Sequence, residues 1–324
     1  MRRALHRFRA SKRRALAVAL FFASASPFAH AELTVLIGEP FGSFGTMMPT
    51  GHASVYLDRV CADGPLRLRM CNPGEQAGVV VARNDHVGKV DWLASPIMQF
   101  LYAADTADGL LPYATPALVE QAREAYRRRY LLAVYPDDVA HKPGDREWWE
   151  TVGVAYDRRL FGYRIATTRV EDEAFVAYLN ALPNRHRYHL HRANCADFVA
   201  DAVNFYHPGT VKVDHVADMG IMSPKHVAQS LFVWAQAHPE ADLEVIEIPQ
   251  IPGSLRRSRP VRGGAEMLLK TKRYVATLAI IQPEAVVALL ALYLDDGRFD
   301  LGRDAVIEPP TAFESRAPTL VAGS

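Results

Sequence analysis

Between Asn194 and Tyr206 the chain reads NCADFVADAVNFY, and Phe198, Val199, Ala202, Val203 and Tyr206 recur at three- and four-residue steps. That period marks one buried face of a helix. Cys195 sits one turn ahead of Phe198 on the same face, Asn194 is a favoured N-cap, and Asp197 is an acid in the first turn. The fold must therefore bury this face, and it must place a thiol at a helix N-terminus. There the helix dipole favours the thiolate and lowers a thiol's pKa. Free backbone N–H groups at the same helix start offer part of an oxyanion hole.

The compartment is the next constraint. Seven Lys/Arg residues fall within the first 14 positions, the apolar run Ala15–Phe22 follows, and Ala29-His30-Ala31 is an A-x-A cleavage pattern. The run is shorter than the about 20 residues a span needs, so residues 1–31 read as a signal peptide. The protein is then periplasmic or secreted, with Glu32 as its first mature residue. Losing seven of 37 basic residues leaves 30 against 36 acidic ones, a mature charge of −6. That acidic balance argues against a nucleic-acid partner. An oxidising compartment favours a disulfide, and Cys61 and Cys71 enclose the short loop CADGPLRLRMC. Cys195 is left over.

Strands are expected from Leu33, over His52–Leu57, over Ala77–Asn84, over Leu160–Thr168 and, as an edge strand, over Asp242–Ile248. In HASVYL the residues His52, Ser54 and Tyr56 share one face, and Ala53, Val55 and Leu57 the other. Helices are expected after Thr115, over Glu171–Leu182, from Cys195, after Ser223, and as two apolar segments near the C-terminus. Pro283 interrupts those two, so no membrane span is expected in the mature chain. The tail after Asp304 is rich in Pro, Ala and Ser and reads as flexible.

A thiolate nucleophile needs a base, usually a histidine held by a third polar group. Of ten mature histidines, His52 is the best placed, at a strand start behind Gly51, where the absent side chain permits close backbone approach.

The order GHASVYL then NCADFV resembles the circularly permuted papain-like proteins of the NlpC-type superfamily, in which the histidine strand precedes the cysteine helix. Asn194, Cys195, Phe198 and Val199 match the helix start of lecithin-retinol acyltransferase-like enzymes, and Gly51-His52 is similar to the strand of exported Lnb-type periplasmic domains linked to lipoprotein N-acylation. The resemblance covers roughly residues 32–210. It implies an α+β fold with an antiparallel sheet packed on the cysteine helix, Cys195 as nucleophile and His52 as base and acid. The third member would come from the strand after the histidine strand, which offers Arg83, Asn84 and His86; His86 is preferred and Asn84 is the alternative. The domain would span 32–240 with a helical insert at about 92–149. An accessory helical region over 241–304 and a tail over 305–324 follow.

The expected function is thiol-dependent acyl transfer, as hydrolase or acyltransferase, on a peptidoglycan peptide or a lipid or lipoprotein acyl group, without a cofactor. Two alternatives stand beside it. One is a non-catalytic envelope-binding module on the same fold. The other is a zinc hydrolase built on His186, His189 and His191 with His52 or His207, since His-x-His on a strand puts both rings on one face. Against zinc, no H-E-x-x-H occurs, and Arg185, Arg187 and Arg192 would repel a dication. No G-x-S-x-G occurs either, which removes the α/β-hydrolase serine reading.

Overall fold

The alternation in HASVYL becomes a strand with both faces buried. In the computed structural model, which describes residues 31–315 apart from 43, 44, 46–48, 77, 86–88, 141–145, 216, 217, 219, 296 and 297, β1 (Ala31–Gly38) pairs antiparallel with β2 (His52–Leu57). Cys61 and Cys71 are joined as a disulfide. It closes the hairpin of β3 (Val60–Ala62) and β4 (Leu68–Met70), which forms a separate two-stranded sheet. With β5 (Val79–Ala82), β6 (Leu93–Pro96), β7 (Leu160–Thr167), β8 (Glu244–Ile248) and β9 (Val306–Ile307), the main sheet has the order β6-β5-β2-β1-β7-β8-β9. All its pairings are antiparallel except β8 with β9.

Helices cover both faces, which gives a mixed α+β architecture. Between the strands lie α1 (Ile97–Tyr102), α2 (Pro116–Tyr126), α3 (Arg169–Ala181), α4 (Cys195–Tyr206) and α5 (Pro224–Ala237). Leu33, Val35 and Ile37 of β1 and Ala53, Val55 and Leu57 of β2 pack on one side with α3, α4 and α5. Leu36, Tyr56 and Val80 pack on the other side with α1 and the helical turn Val154–Asp157. The period of 2 in β2 therefore separates two apolar cores rather than a core from solvent.

Several expectations shift. The expected strand over Ala77–Asn84 shortens to β5. The segment about 92–149 opens with β6 before it turns helical. β8 is not the edge, because β9 pairs with it, so the sheet runs past residue 240 and into the segment expected as a flexible tail. That tail also carries Phe313, which is 1% exposed and packs edge-on against Tyr56. A buried aromatic supplies the apolar burial that outweighs a loop-like composition. The two expected C-terminal helices are three: α6 (Gly264–Lys270), α7 (Lys272–Ile281) and α8 (Pro283–Asp295). Among the described residues no helix is long and apolar enough to cross a membrane. Residues 1–30 of the expected signal peptide 1–31, and His86, lie outside the described residues.

Candidate functional site

Cys195 is held by its neighbour. The Asn194 side chain accepts from the N–H groups of Ala196 at 2.7 Å and Asp197 at 3.0 Å, and the Asp197 carboxylate accepts from the Asn194 N–H at 2.9 Å. This reciprocal capping box fixes the first turn of α4. The Asn194 amide also donates to the carbonyls of Leu190 and Met222, so the loops on either side are tied to the same cap. The cap occupies two of the helix-start donors, which leaves the Cys195 N–H as the first donor it does not take.

The strand end that carries His52 is built around two glycines. Gly51 has φ +76°, and a Cβ there would lie 2.4 Å from the Gly38 carbonyl oxygen. Gly38 is the register partner of His52 in β2 and of Leu160 in β7. A Cβ on Gly38 would lie 2.8 Å from Cδ of Arg158. The absent side chain thus lets Arg158 lie across the sheet end beside His52.

These elements enclose a cavity of about 600 Å³. Gly51, His52 and Asn84 line it at the ends of β2 and β5, Cys195 and Asn194 from the start of α4, and Glu150 and Arg158 from the segment before β7. Phe41, Leu190, Ile221, Met222, Pro224 and Met267 give it an apolar wall. The backbone of Ala53, the residue after His52, lies within reach of the thiol and favours its ionised form.

Burial governs both groups. It pushes the Cys195 thiol up to about 11, helped by the nearby Glu150 carboxylate and opposed by the backbone of Ala53 and Ala196. It pulls the His52 imidazole down to about 4, with Glu150 raising it and Arg158 lowering it. The helix position alone leads one to expect a depressed thiol. The structure reverses that, because Cys195 is only 7% exposed and a desolvated thiolate costs more than the dipole returns. Near neutral pH the resting pair is thiol and imidazole, both uncharged. Nε2 of His52 is buried without a hydrogen-bond partner among the described residues.

Asn84 lines the cavity, but among the described residues both ends of its amide are buried and unpaired, with no bond to the His52 ring. Its neighbour Arg83 pairs with Asp91 at 2.8 Å. The charged groups acting on His52 are Glu150 and Arg158, which lie 3.4 Å apart. Burial resists ionisation of Glu150, yet Arg158 and His52 hold its carboxyl below the ordinary range. Arg158 also stacks over the Phe41 ring at 4.3 Å. Sequence reasoning missed both residues. The one signal was register: a strand from Leu160 placed beside Gly38 brings the residues just before it to the His52 end.

The histidine cluster does not converge. His186 pairs with Asp85 at 3.6 Å, His189 and His191 are exposed with ring centres 5.9 Å apart, and His207 stacks on Trp234. Among the described residues no three His, Cys, Asp or Glu side chains are grouped to hold a metal ion. No family model, no curated protein and no solved structure matches this chain.

Proposed function

We propose that the protein is a cysteine-dependent acyl-transfer enzyme of the cell envelope on a permuted papain-like core. The observation that supports this most is that Cys195, at a capped helix start, and His52 line one cavity, with the thiol against the backbone of the residue after His52. Both groups rest neutral and no hydrogen bond joins them. In this reading the His52 ring, at the end of β2 on the face away from α4, swings into the cavity and takes the S–H proton as sulfur attacks the carbonyl of an ester, amide or thioester. The Cys195 N–H, which the Asn194 cap does not take, would donate to the oxyanion. As the tetrahedral intermediate collapses, the bond to the leaving group breaks and His52 returns the proton to it, leaving an acyl thioester on Cys195. Water, an amine or an alcohol then attacks the thioester and regenerates the thiol. Glu150 and Arg158 are positioning residues in this reading, setting the charge around His52.

The test is intact-protein mass spectrometry after incubation with a short-chain acyl thioester. The expected adduct has the mass of one acyl group, maps to Cys195, is removed by hydroxylamine and is absent in Cys195→Ala. No adduct from thioester, ester or peptide donors would sink the reading. Burial of the Cys195 thiol and the buried, unpaired His52 Nε2 favour a second reading, a non-catalytic binding module. It predicts ligand affinity that is unchanged in Cys195→Ala, with no adduct at any pH.

A further inference from the structure

From Tyr274 to Leu294, across α7, the turn and α8, the chain carries one charged residue, Glu284. A helix on a protein surface ordinarily keeps a polar face. Here Ile280 is 83% exposed, Ile281 70%, Val287 69%, Leu290 47% and Leu294 48%. Val287, Leu290 and Leu294 follow three- and four-residue steps and so form one stripe on α8. Ile280 and Ile281 end α7 just before the turn. Exposed apolar surface of this extent marks a contact site.

The opposite end of the hairpin is aromatic and carries three cations, of which Lys270 pairs with Glu266 at 2.7 Å, while α8 ends there on Asp295. Lys272 and Arg273 are exposed at the start of α7. Lys270 Nζ lies 4.8 Å from the Tyr293 ring centre, and the Arg273 guanidinium 4.6 Å from that of Tyr274. Cations set among tyrosines beside an apolar stripe suit the headgroup layer of an anionic bilayer. With ten and thirteen residues, the helices are about 15 and 20 Å long. Neither reaches across a hydrocarbon core of about 30 Å. The charge on Glu284 at the turn likewise keeps the hairpin at the interface rather than deep in the acyl region.

We propose that the α7–α8 hairpin docks on the surface of an anionic lipid bilayer and brings the Cys195 cavity to it. The second clause follows from α6, which joins α7 at Thr271 and contributes Gly264 and Met267 to the cavity wall. If the acyl-transfer reading holds, the docked enzyme takes its acyl group from a membrane-embedded lipid or lipoprotein rather than from a peptidoglycan peptide.

The experiment is co-sedimentation of the purified protein with vesicles of phosphatidylethanolamine and phosphatidylglycerol, and with vesicles of phosphatidylcholine alone. The expected result is binding to the anionic vesicles. It should fall at least tenfold in Val287→Glu with Leu290→Glu, and several-fold in Lys272→Glu with Arg273→Glu, with the second loss reproduced by high salt. These side chains are exposed, so far-UV circular dichroism should be unchanged; if the first pair unfolds the protein, the second carries the test. Absence of binding, or binding equal in both variants, overturns the proposal. So does a dimer in analytical ultracentrifugation that the first pair dissolves, because a second copy would then be what covers the stripe. Cys195→Ala should bind vesicles as the parent does. Vesicle binding without any acyl adduct on a soluble thioester would retain the docking and reject the acyl-transfer reading. An adduct without vesicle binding would do the reverse.

Discussion

The Glu150 carboxylate stands 3.4 Å from the Arg158 guanidinium, and the two act on His52 with opposite sign. A Cβ on Gly38, the register partner of His52, would crowd Cδ of Arg158 at 2.8 Å, so the glycine leaves room for Arg158 in this position. With opposing charges beside it, the imidazole is left to burial, which holds it neutral down to about 4.

Glu150→Gln removes the influence that raises His52 and, at the same time, one that raises Cys195. Both pKa values are expected to fall, His52 below about 4 and Cys195 below about 11. Histidine proton shifts in NMR follow the first, and the pH dependence of iodoacetamide alkylation the second. If neither moves, the Glu150 carboxylate is not coupled to the pair.

Stability should depend on pH through the same two groups. His52 is depressed from 6.5 to about 4, so its neutral form stabilises the fold above 6.5 and that contribution is lost as pH falls through 4. Cys195 is raised from 9.0 to about 11, so its contribution is present below 9 and lost as pH rises through 11. Each is worth up to about 3 kcal/mol at about 1.4 kcal/mol per pH unit. Urea titrations between pH 4 and 11 should show flatter acid and alkaline limbs in His52→Phe and Cys195→Ala respectively. Unchanged limbs would mean that neither group is desolvated in the fold.

The periodicities that made β2 and α4 visible are local. Alternation in HASVYL and the three- and four-residue steps after Cys195 depend on residues within one element, and the Asn194–Asp197 capping box spans four positions. Glu150 and Arg158 could not be read this way. Glu150 sits in the turn Arg146–Thr151, anchored where buried Arg123 of α2 donates to the carbonyls of Val152 and Gly153. Its nearness to His52 exists only once β7 has paired with β1. The direction of the thiol's pKa is not legible in the sequence for a related reason. The dipole of α4 is a property of one helix, whereas the burial that outweighs it is set by the strand and loops packed around Cys195. Phe313 shows the same limit, since a Pro- and Ala-rich composition does not reveal that one aromatic is captured by Tyr56.

Gly51→Ala tests how tightly the His52 end is built. The new Cβ would meet the Gly38 carbonyl at 2.4 Å and Val261 at 3.2 Å, in a backbone conformation that L residues rarely adopt. The first contact is backbone, so relief requires β1 and β2 to part where His52 sits. The expected loss is at least about 2 kcal/mol, together with changed Cys195 alkylation. A thermal midpoint within a degree of the parent's would show that this close approach is not part of the native state.

Asn194 separates capping from anchoring. A generic N-cap tolerates Asp about as well as Asn, but here the side-chain nitrogen also donates to the carbonyls of Leu190 at 2.9 Å and Met222 at 3.0 Å. Asn194→Asp keeps the acceptor for Ala196 and Asp197 while facing a carboxylate toward two carbonyl oxygens, and it adds negative charge beside the thiol. Asn194→Ala loses the cap and both donations. Both variants are expected to cost about 2–3 kcal/mol, Asp through repulsion and Ala through unpaired groups. Their effects on Cys195 should diverge. Alkylation is expected to become faster in the Ala variant, because the freed helix start opens to solvent. In the Asp variant it is expected to need higher pH than in the parent. Parent-like stability of Asn194→Asp would show that the Leu190 and Met222 contacts contribute little, leaving Asn194 as a cap alone.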